Sequence, residues 1–377
     1  MLYDYIIIGG GIIGTSIARE MSKYELKVLL IEKENEIGTI QTLHNSAIIH
    51  AGNDPKENTL KAKLNVLGNK MYDDLKKDLN IPLKRVGAFT VAHNEKELEE
   101  LKILLQRATL NKVPGAYITT GTEARKLEPN LSKKITHVLF TPTTKITNPI
   151  LTAQILMKNA YYNGVSLSLN TTVININYHN NSYIVKTSKG DFTANGIINA
   201  AGIYADNIAK LIDYDFPYHS IPKKGEYLAF DDKTEGFISR VIYPLPSKSG
   251  KGILVIPKID GTMLIGPTNK KQDSKEDYSI RNNLEEEISQ KATLMIENIP
   301  YNNLFAKYSG IRSGVNYNDF YIKESKSLKN FYNLLGMESP ALSAAPAIAL
   351  YILDLIKEKN NLKLNLNFDS KSIKEYK

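Results

Sequence analysis

Two short, continuous apolar runs at residues 5–8 and 28–31, the second opened by Lys27, flank a segment whose apolar residues recur at helical spacing: Ile12, Ile13, Ile17 and Met21. Continuous runs of this length predict strands buried on both faces, and the spaced set predicts a helix that packs on one side. Gly9, Gly10 and Gly11 punctuate the first junction and Glu32 closes the second strand, so residues 4–33 read as a βαβ unit.

Further along, residues 86–92 predict a strand, 95–111 an amphipathic helix with an acidic outer face, 150–163 a second helix and 166–173 another strand. Residues 191–206 form a second glycine-punctuated segment, with a strand running into Gly202 and a helix over 204–212. Residues 216–270 are strand-rich, their apolar pieces separated by Pro, Gly and charged turns. A helix is predicted over 283–299, a strand over 331–336 and a helix over 343–358, and the Lys/Asn-rich tail beyond 357 reads as loosely held. The pattern predicts an α/β fold: a Rossmann-like domain for a cofactor, interleaved with a mainly antiparallel α+β domain for a substrate. The expected division is 1–80, 145–215 and 305–377 for the first, with 81–144 and 216–304 for the second.

Composition narrows the chemistry. The 377 residues contain no cysteine, which excludes disulfides, iron–sulfur clusters, a cysteine nucleophile and a flavin tethered through sulfur. A net charge of +8 comes from scattered lysines, without a basic block or aromatic–basic interleaving, so nucleic acid is not an expected partner. A solvated lysine surface accounts for most of that charge, and a small anionic substrate is the sharper alternative. The stretch 334–356 is too polar to span a membrane, membrane-surface association is not predicted, and no targeting signal precedes the first strand; the expected location is cytoplasmic. His93, His137, His179 and His219 have no partner at metal-ligand spacing, so no metal site is expected.

Gly9, Gly11 and Gly14 match G-x-G-x-x-G. In that pattern the first glycine makes the turn, the second admits a pyrophosphate close to the backbone and the third lets helix pack on strand. Glu32, about 20 residues on, suits ribose hydroxyls, and a helix N-terminus suits the phosphates. FAD and NAD both satisfy this much.

Four further stretches carry a resemblance: residues 44–52 (HNSAIIHAG), 199–206 (NAAGIYAD), 225–230 with 252–268, and 336–348 (GMESPALSAAPAI). Together with the first βαβ unit, the chain resembles the D-amino-acid-oxidase-type family of FAD-dependent oxidoreductases over nearly its whole length. Within that family it is similar to the short glycerol 3-phosphate oxidases known from mollicutes and to the L-2-hydroxyglutarate oxidases. The resemblance implies noncovalent FAD, oxidation of sn-glycerol 3-phosphate, and molecular oxygen as acceptor with hydrogen peroxide as product. Oxidation of a 2-hydroxy acid stays as the alternative, with amine oxidation behind it.

It also implies roles. His50 would be the base on the substrate hydroxyl, with Ser46 touching substrate on the same loop; Lys251, Arg312 and Ser339 would hold the anionic end. FAD would be held by Ile13, Glu32, Lys33, His44, Asn45, Ser46, Ile48 and Ile49. Val173, Ala201, Gly202, Gly310, Met337, Glu338 and Ser343 would complete its site. Read without the loop context, His50 is a satisfied core histidine and Lys251 a residue of a solvated turn; the resemblance to some dehydrogenases of the superfamily adds covalent flavin attachment at His50 as a minor alternative. Tyr227, Tyr243 and Tyr321 are candidates for a pocket wall. Ala47 stands where relatives often have glycine and Lys224 where they often have arginine, which puts the loop geometry and one charge contact in question.

Overall fold

In the computed structural model, residues 1–246 and 252–376 are described. The first βαβ unit forms as its pattern requires. Strand Leu2–Ile8 enters helix Ile12–Met21, and strand Val28–Ile31 returns parallel beside the first. These two strands sit inside an eight-stranded sheet. Ser166–Ser168 pairs parallel on the outer side, and Gly190–Asn199 and Phe331–Leu335 follow in parallel on the other. Side chains alternate across it. Ile7, Leu30, Ile198 and Leu334 face a core shared with helices Ile12–Met21, Pro149–Tyr162 and Ala341–Lys357. Ile6, Leu29, Ile197 and Phe331 face the opposite core, which is why the sequence shows continuous apolar runs here and not alternation.

A nine-stranded, mostly antiparallel sheet forms the second layer system. Its spine is a long antiparallel pair, Ser220–Phe230 against Leu304–Val315, in which Gly225 faces Gly310 and Lys223 faces Arg312. A three-stranded sheet of Ile48–Ile49, Lys145–Thr147 and Leu83–Arg85 lies at the junction of the two.

The structure departs from the sequence pattern in several places. The run at 166–173 is two strands, Ser166–Ser168 and Val173–His179, because Asn170 takes a left-handed conformation between them. The helix expected over 283–299 is Leu284–Ala292 only; beyond it Ile296 joins an isolated bridge to Leu131 and Asn298 turns left-handed. Helix 204–212 is a short 3₁₀ turn followed by Ala205–Lys210. The tail is not loose: Asn159 and Asn163 donate side-chain amides to the carbonyl of Asp369, and Glu25 N–H donates to Lys363. The longest helix, Leu60–Leu79, has no counterpart in the expected pattern.

That helix crosses the C-terminal helix at Gly68. A Cβ on Gly68 would lie 2.2 Å from the Ser343 carbonyl oxygen and 2.8 Å from Ala344 Cα, so only glycine allows this approach. Gly68→Ala is therefore expected to lower stability by about 1–3 kcal/mol through overpacking. Urea unfolding monitored by circular dichroism checks this, and an unchanged midpoint contradicts it.

Candidate active site

A cavity of about 650 Å³ runs from the carboxyl ends of the parallel strands to the face of the second sheet. At its first end the Leu2–Ile8 strand turns at Gly9, whose φ is 110°. A Cβ on Gly14 would lie 1.9 Å from the Gly9 carbonyl oxygen, so the third glycine of the motif packs helix onto strand and does not line the cavity. Gly11 caps the helix without a side chain, and Thr42 Oγ1 accepts the Ile12 N–H from across the cavity wall at 3.0 Å. The helix N-terminus thus faces the cavity with a favourable dipole for anions. Glu32 lines the same end; its carboxylate accepts Gly10 N–H at 2.5 Å and Glu34 N–H at 2.9 Å. Burial raises the Glu32 carboxyl above its ordinary value despite those two bonds. Lys33 stands beside it, its ammonium 4.5 Å from the Tyr204 ring centroid.

The middle of the cavity is the loop 40–50. Gln41 bridges two distant segments, accepting Ile203 N–H at 2.8 Å and donating to the Ile311 carbonyl at 3.0 Å. Asn45 Oδ1 accepts Ala47 N–H at 2.7 Å, and Ala47 sits at φ 56°. The left-handed geometry of a glycine is thus kept at this position with an alanine in it. His44, Asn45, Ser46 and Ile48 line the cavity, whereas Ile49 is fully buried behind it. Gly310 lies behind His44, where a Cβ would meet the His44 carbonyl at 2.0 Å.

His50 closes this loop and faces the cavity. Its N–H donates to Ser343 Oγ at 2.7 Å, and its carbonyl accepts from Asn65 and Asn69. Its Nδ1 lies 2.8 Å from Tyr243 Oη and its Nε2 3.3 Å from Ser339 Oγ. Ser343 therefore acts on the His50 backbone and not on the cavity.

The far wall is charged. Lys223 and Arg312 are cross-strand partners and both line the cavity. Like charges placed directly opposite repel, and Glu338 sits between them, accepting from Lys223 at 2.9 Å and pairing with Lys61 at 3.6 Å. Burial alone would raise the Glu338 carboxyl, but Lys61, Lys223 and Arg312 hold it below its ordinary range. Arg312 Nη2 donates to the Thr268 carbonyl, while Arg312 Nε is buried with no hydrogen-bond partner among the described residues.

Val173, Ala201, Gly202, Met337 and Ser339 also line this one cavity. Lys251 lies outside the described residues. Lys224 turns away to Asp277 at 2.8 Å, because strand alternation gives the cavity to Lys223. Of the tyrosines, Tyr227 lines the cavity and Tyr243 backs His50, but Tyr321 packs with Phe216, Tyr218 and Tyr317. Gln41 and Thr42 open the family-like stretch that runs on through 44–52, whereas nothing in the sequence marks Lys223. No group of His, Asp or Glu among the described residues is placed to hold a metal, and no helix among them is long and apolar enough to cross a membrane.

The family described as FAD dependent oxidoreductase matches residues 4–355, and the chain belongs to it. The chain is 38% identical to a glycerol 3-phosphate dehydrogenase of Caloramator mitchellensis, covering 97% of this chain and 77% of the relative. It is 32% identical to a glycerol 3-phosphate oxidase of Mycoplasma genitalium, covering 97% of each. The solved structure of dithionite-reduced L-alpha-glycerophosphate oxidase from Mycoplasma pneumoniae with FAD bound is similar, with TM-score 0.93, 31% identity and 100% of each chain covered. The protein is an FAD-dependent oxidoreductase with the α/β Rossmann-like fold of that family. The glycine cap, the helix N-terminus and the Glu32 carboxylate at one end of the cavity fit a dinucleotide.

Glu226 anchors the charged wall from behind. Its buried carboxylate accepts from Arg281 Nε at 2.8 Å and Thr268 Oγ1 at 2.9 Å, and Thr268 in turn receives Arg312. Burial opposes ionisation, yet the Arg281 and Thr268 bonds hold the Glu226 carboxyl below its ordinary value. A depressed carboxyl contributes stability above its unfolded pKa and loses it as pH falls through the folded one. Glu226→Gln is expected to cost about 1–3 kcal/mol at neutral pH. The gap to wild type should close as pH falls below the carboxylate range; urea titrations across pH check both points.

Proposed function

With the FAD-dependent oxidoreductase family as premise, we propose that the protein oxidises the carbon-2 hydroxyl of sn-glycerol 3-phosphate to dihydroxyacetone phosphate. Oxygen is the final acceptor and hydrogen peroxide the second product. The observation that carries this reading is the pairing, in one cavity, of a histidine with a guanidinium whose buried Nε has no partner among the described residues. The names of the relatives at 32% and 38% identity support the same substrate.

FAD, when bound, supplies the acceptor for the carbon-2 hydride. The residues do the rest. His50 Nε2 takes the hydroxyl proton, a task suited to an imidazole near neutral pH. A base at Nε2 requires the other proton on Nδ1, and Tyr243 Oη at 2.8 Å is the acceptor for that N–H. Burial pushes the Tyr243 phenol well above its ordinary value, so it stays neutral and does not compete for the substrate proton. Ser339 offers a hydroxyl beside His50, and Ser46 lines the same cavity. Arg312, with Lys251 as its expected companion, holds the phosphate; a forked donor suits a group carrying about −1.5 to −2 charge.

The cofactor roles of the glycine motif, Glu32, Lys33, the loop 44–49, Val173, Ala201, Gly202 and the 337–338 turn belong to this proposal, as does the two-domain division at 1–80, 145–215 and 305–377 against 81–144 and 216–304. What supports the division is that every strand of the eight-stranded sheet falls in the first set; strand Leu304–Val315 of the nine-stranded sheet straddles the 305 boundary and argues for placing that boundary after residue 315.

Anaerobic mixing of the holoenzyme with glycerol 3-phosphate should bleach the flavin's visible absorbance. His50→Asn should slow that reduction on the order of 10²–10⁴-fold. Arg312→Met should raise the half-saturating substrate concentration on the order of tenfold or more, as expected for a charge-assisted bond. Bleaching by L-2-hydroxyglutarate but not by glycerol 3-phosphate would overturn the substrate.

A further inference from the structure

We infer that Lys145, a buried cation outside the cavity, is a positioning residue that holds the His50 loop through Asn69. This deepens the proposed function and rests on His50 being the base.

Helix Leu60–Leu79 places Asn65, Asn69 and Asp73 four residues apart, hence on one face. Asn65 is 0% exposed and Asn69 is 5% exposed, an unusual inner face for a helix. Both point at the end of the cavity loop. Asn65 Nδ2 donates to the His50 carbonyl at 2.8 Å. Asn69 Nδ2 donates to the same carbonyl at 3.0 Å and to the Thr143 carbonyl at 2.9 Å. With Ser343 on the His50 N–H, the two sides of this residue's backbone are held by two different helices.

An asparagine amide works here only one way round, since carbonyls need its N–H end. Lys145 sets that orientation. Its ammonium has donors and no acceptor, and it donates to Asn69 Oδ1 at 2.9 Å and to the Asn69 carbonyl at 2.6 Å. Asp73 Oδ2 lies 3.0 Å away as its counter-charge and is shared with Arg85. With the ammonium facing its oxygen, the amide must turn its nitrogen to the loop. The same strand, Lys145–Thr147, pairs with Ile48–Ile49, so Lys145 supports the loop through its backbone as well.

Lys145 is 1% exposed. Burial pulls its ammonium below the ordinary value, with Asp73 opposing. Taking a charge out of water costs free energy that a packed apolar side chain of similar volume would not incur. A lysine retained for stability alone would therefore be poorly placed, whereas one that orients Asn69 has a reason to be there.

The test compares holoenzymes of wild type, Lys145→Met, Lys145→Gln, Asn69→Ala and the Lys145→Met/Asn69→Ala pair. Lys145→Met should keep its FAD content and stay folded, with a modestly lowered Tm because Asn69 Oδ1 loses its buried partner. Its anaerobic flavin reduction should slow on the order of 10- to 100-fold, as misplaced reacting groups do, while half-saturation stays within about twofold. Amide exchange over residues 48–52 should quicken. Lys145→Gln, which can still donate to Asn69 Oδ1, should recover part of the rate. In the Asn69→Ala background, Lys145→Met should have no further effect. Unchanged reduction and unchanged exchange in Lys145→Met would overturn the inference, as would independent, multiplying effects of the two substitutions. If glycerol 3-phosphate fails to reduce the wild type, the substrate reading falls and the exchange comparison still decides this one. Should Lys145→Met not fold, Lys145→Gln against wild type carries the same exchange and rate comparison.

Discussion

The loop from Ile40 to His50 is the constraint on which the cavity depends. It has almost no regular structure, yet five other segments bond to it. Thr42 takes the first N–H of the glycine helix, Gln41 ties the 201–203 turn to strand Leu304–Val315, and His50 is held by the C-terminal helix and by helix Leu60–Leu79. A loop ordered by side chain-to-backbone bonds meets its entropy cost only when all its partners are in place. Ala47 shows how tightly this holds. An L-residue in the left-handed region costs about 1–2 kcal/mol, and Asn45 below it and the Thr147 N–H on its carbonyl keep it there. The cofactor end and the histidine end of the cavity are thus two ends of one mechanical part.

Charge in the cavity is organised by opposition. Lys223 and Arg312 face each other across two strands and are kept together by Glu338, which also draws Lys61. Three cations around one half-buried carboxylate leave an excess of positive charge in a partly enclosed space, where field lines are focused. The +8 of the whole chain bears little on this. What attracts an anion is the imbalance at Glu338, and Glu226 holds its arginine in register from the other side through Thr268.

Much of this was legible beforehand, and the exceptions have physical causes. The two-sided sheet is legible in uninterrupted apolar runs at 5–8 and 28–31, and Gly9, Gly11 and Gly14 stand where strand, turn and helix demand small residues. Helix Leu60–Leu79 escaped because its inner face carries Asn65, Gly68 and Asn69, residues that read as exposed or helix-breaking. They are inside because they bond to the His50 loop and admit the Ser343 backbone, which no local pattern reports. Strand Leu304–Val315 is likewise irregular in its burial, since one face packs while Arg312 opens to the cavity. Lys223 and Lys224 are adjacent lysines in the sequence, and only the sheet register tells which faces the cavity. The tail looked loose by composition; its anchors are asparagine amides on a helix two hundred residues earlier.

The eight-stranded sheet takes strands from both ends of the chain. Phe331–Leu335 lies parallel beside Gly190–Asn199, and Met337, Glu338 and Ser339 immediately after it complete the cavity wall. During synthesis, therefore, the edge of Gly190–Asn199 that Phe331–Leu335 covers stays open until that later strand has emerged. The second sheet, most of whose strands lie between, must fold while that edge waits. Sheet pairings of such long separation form slowly, and an edge left unpaired in the meantime is a template for association with another chain.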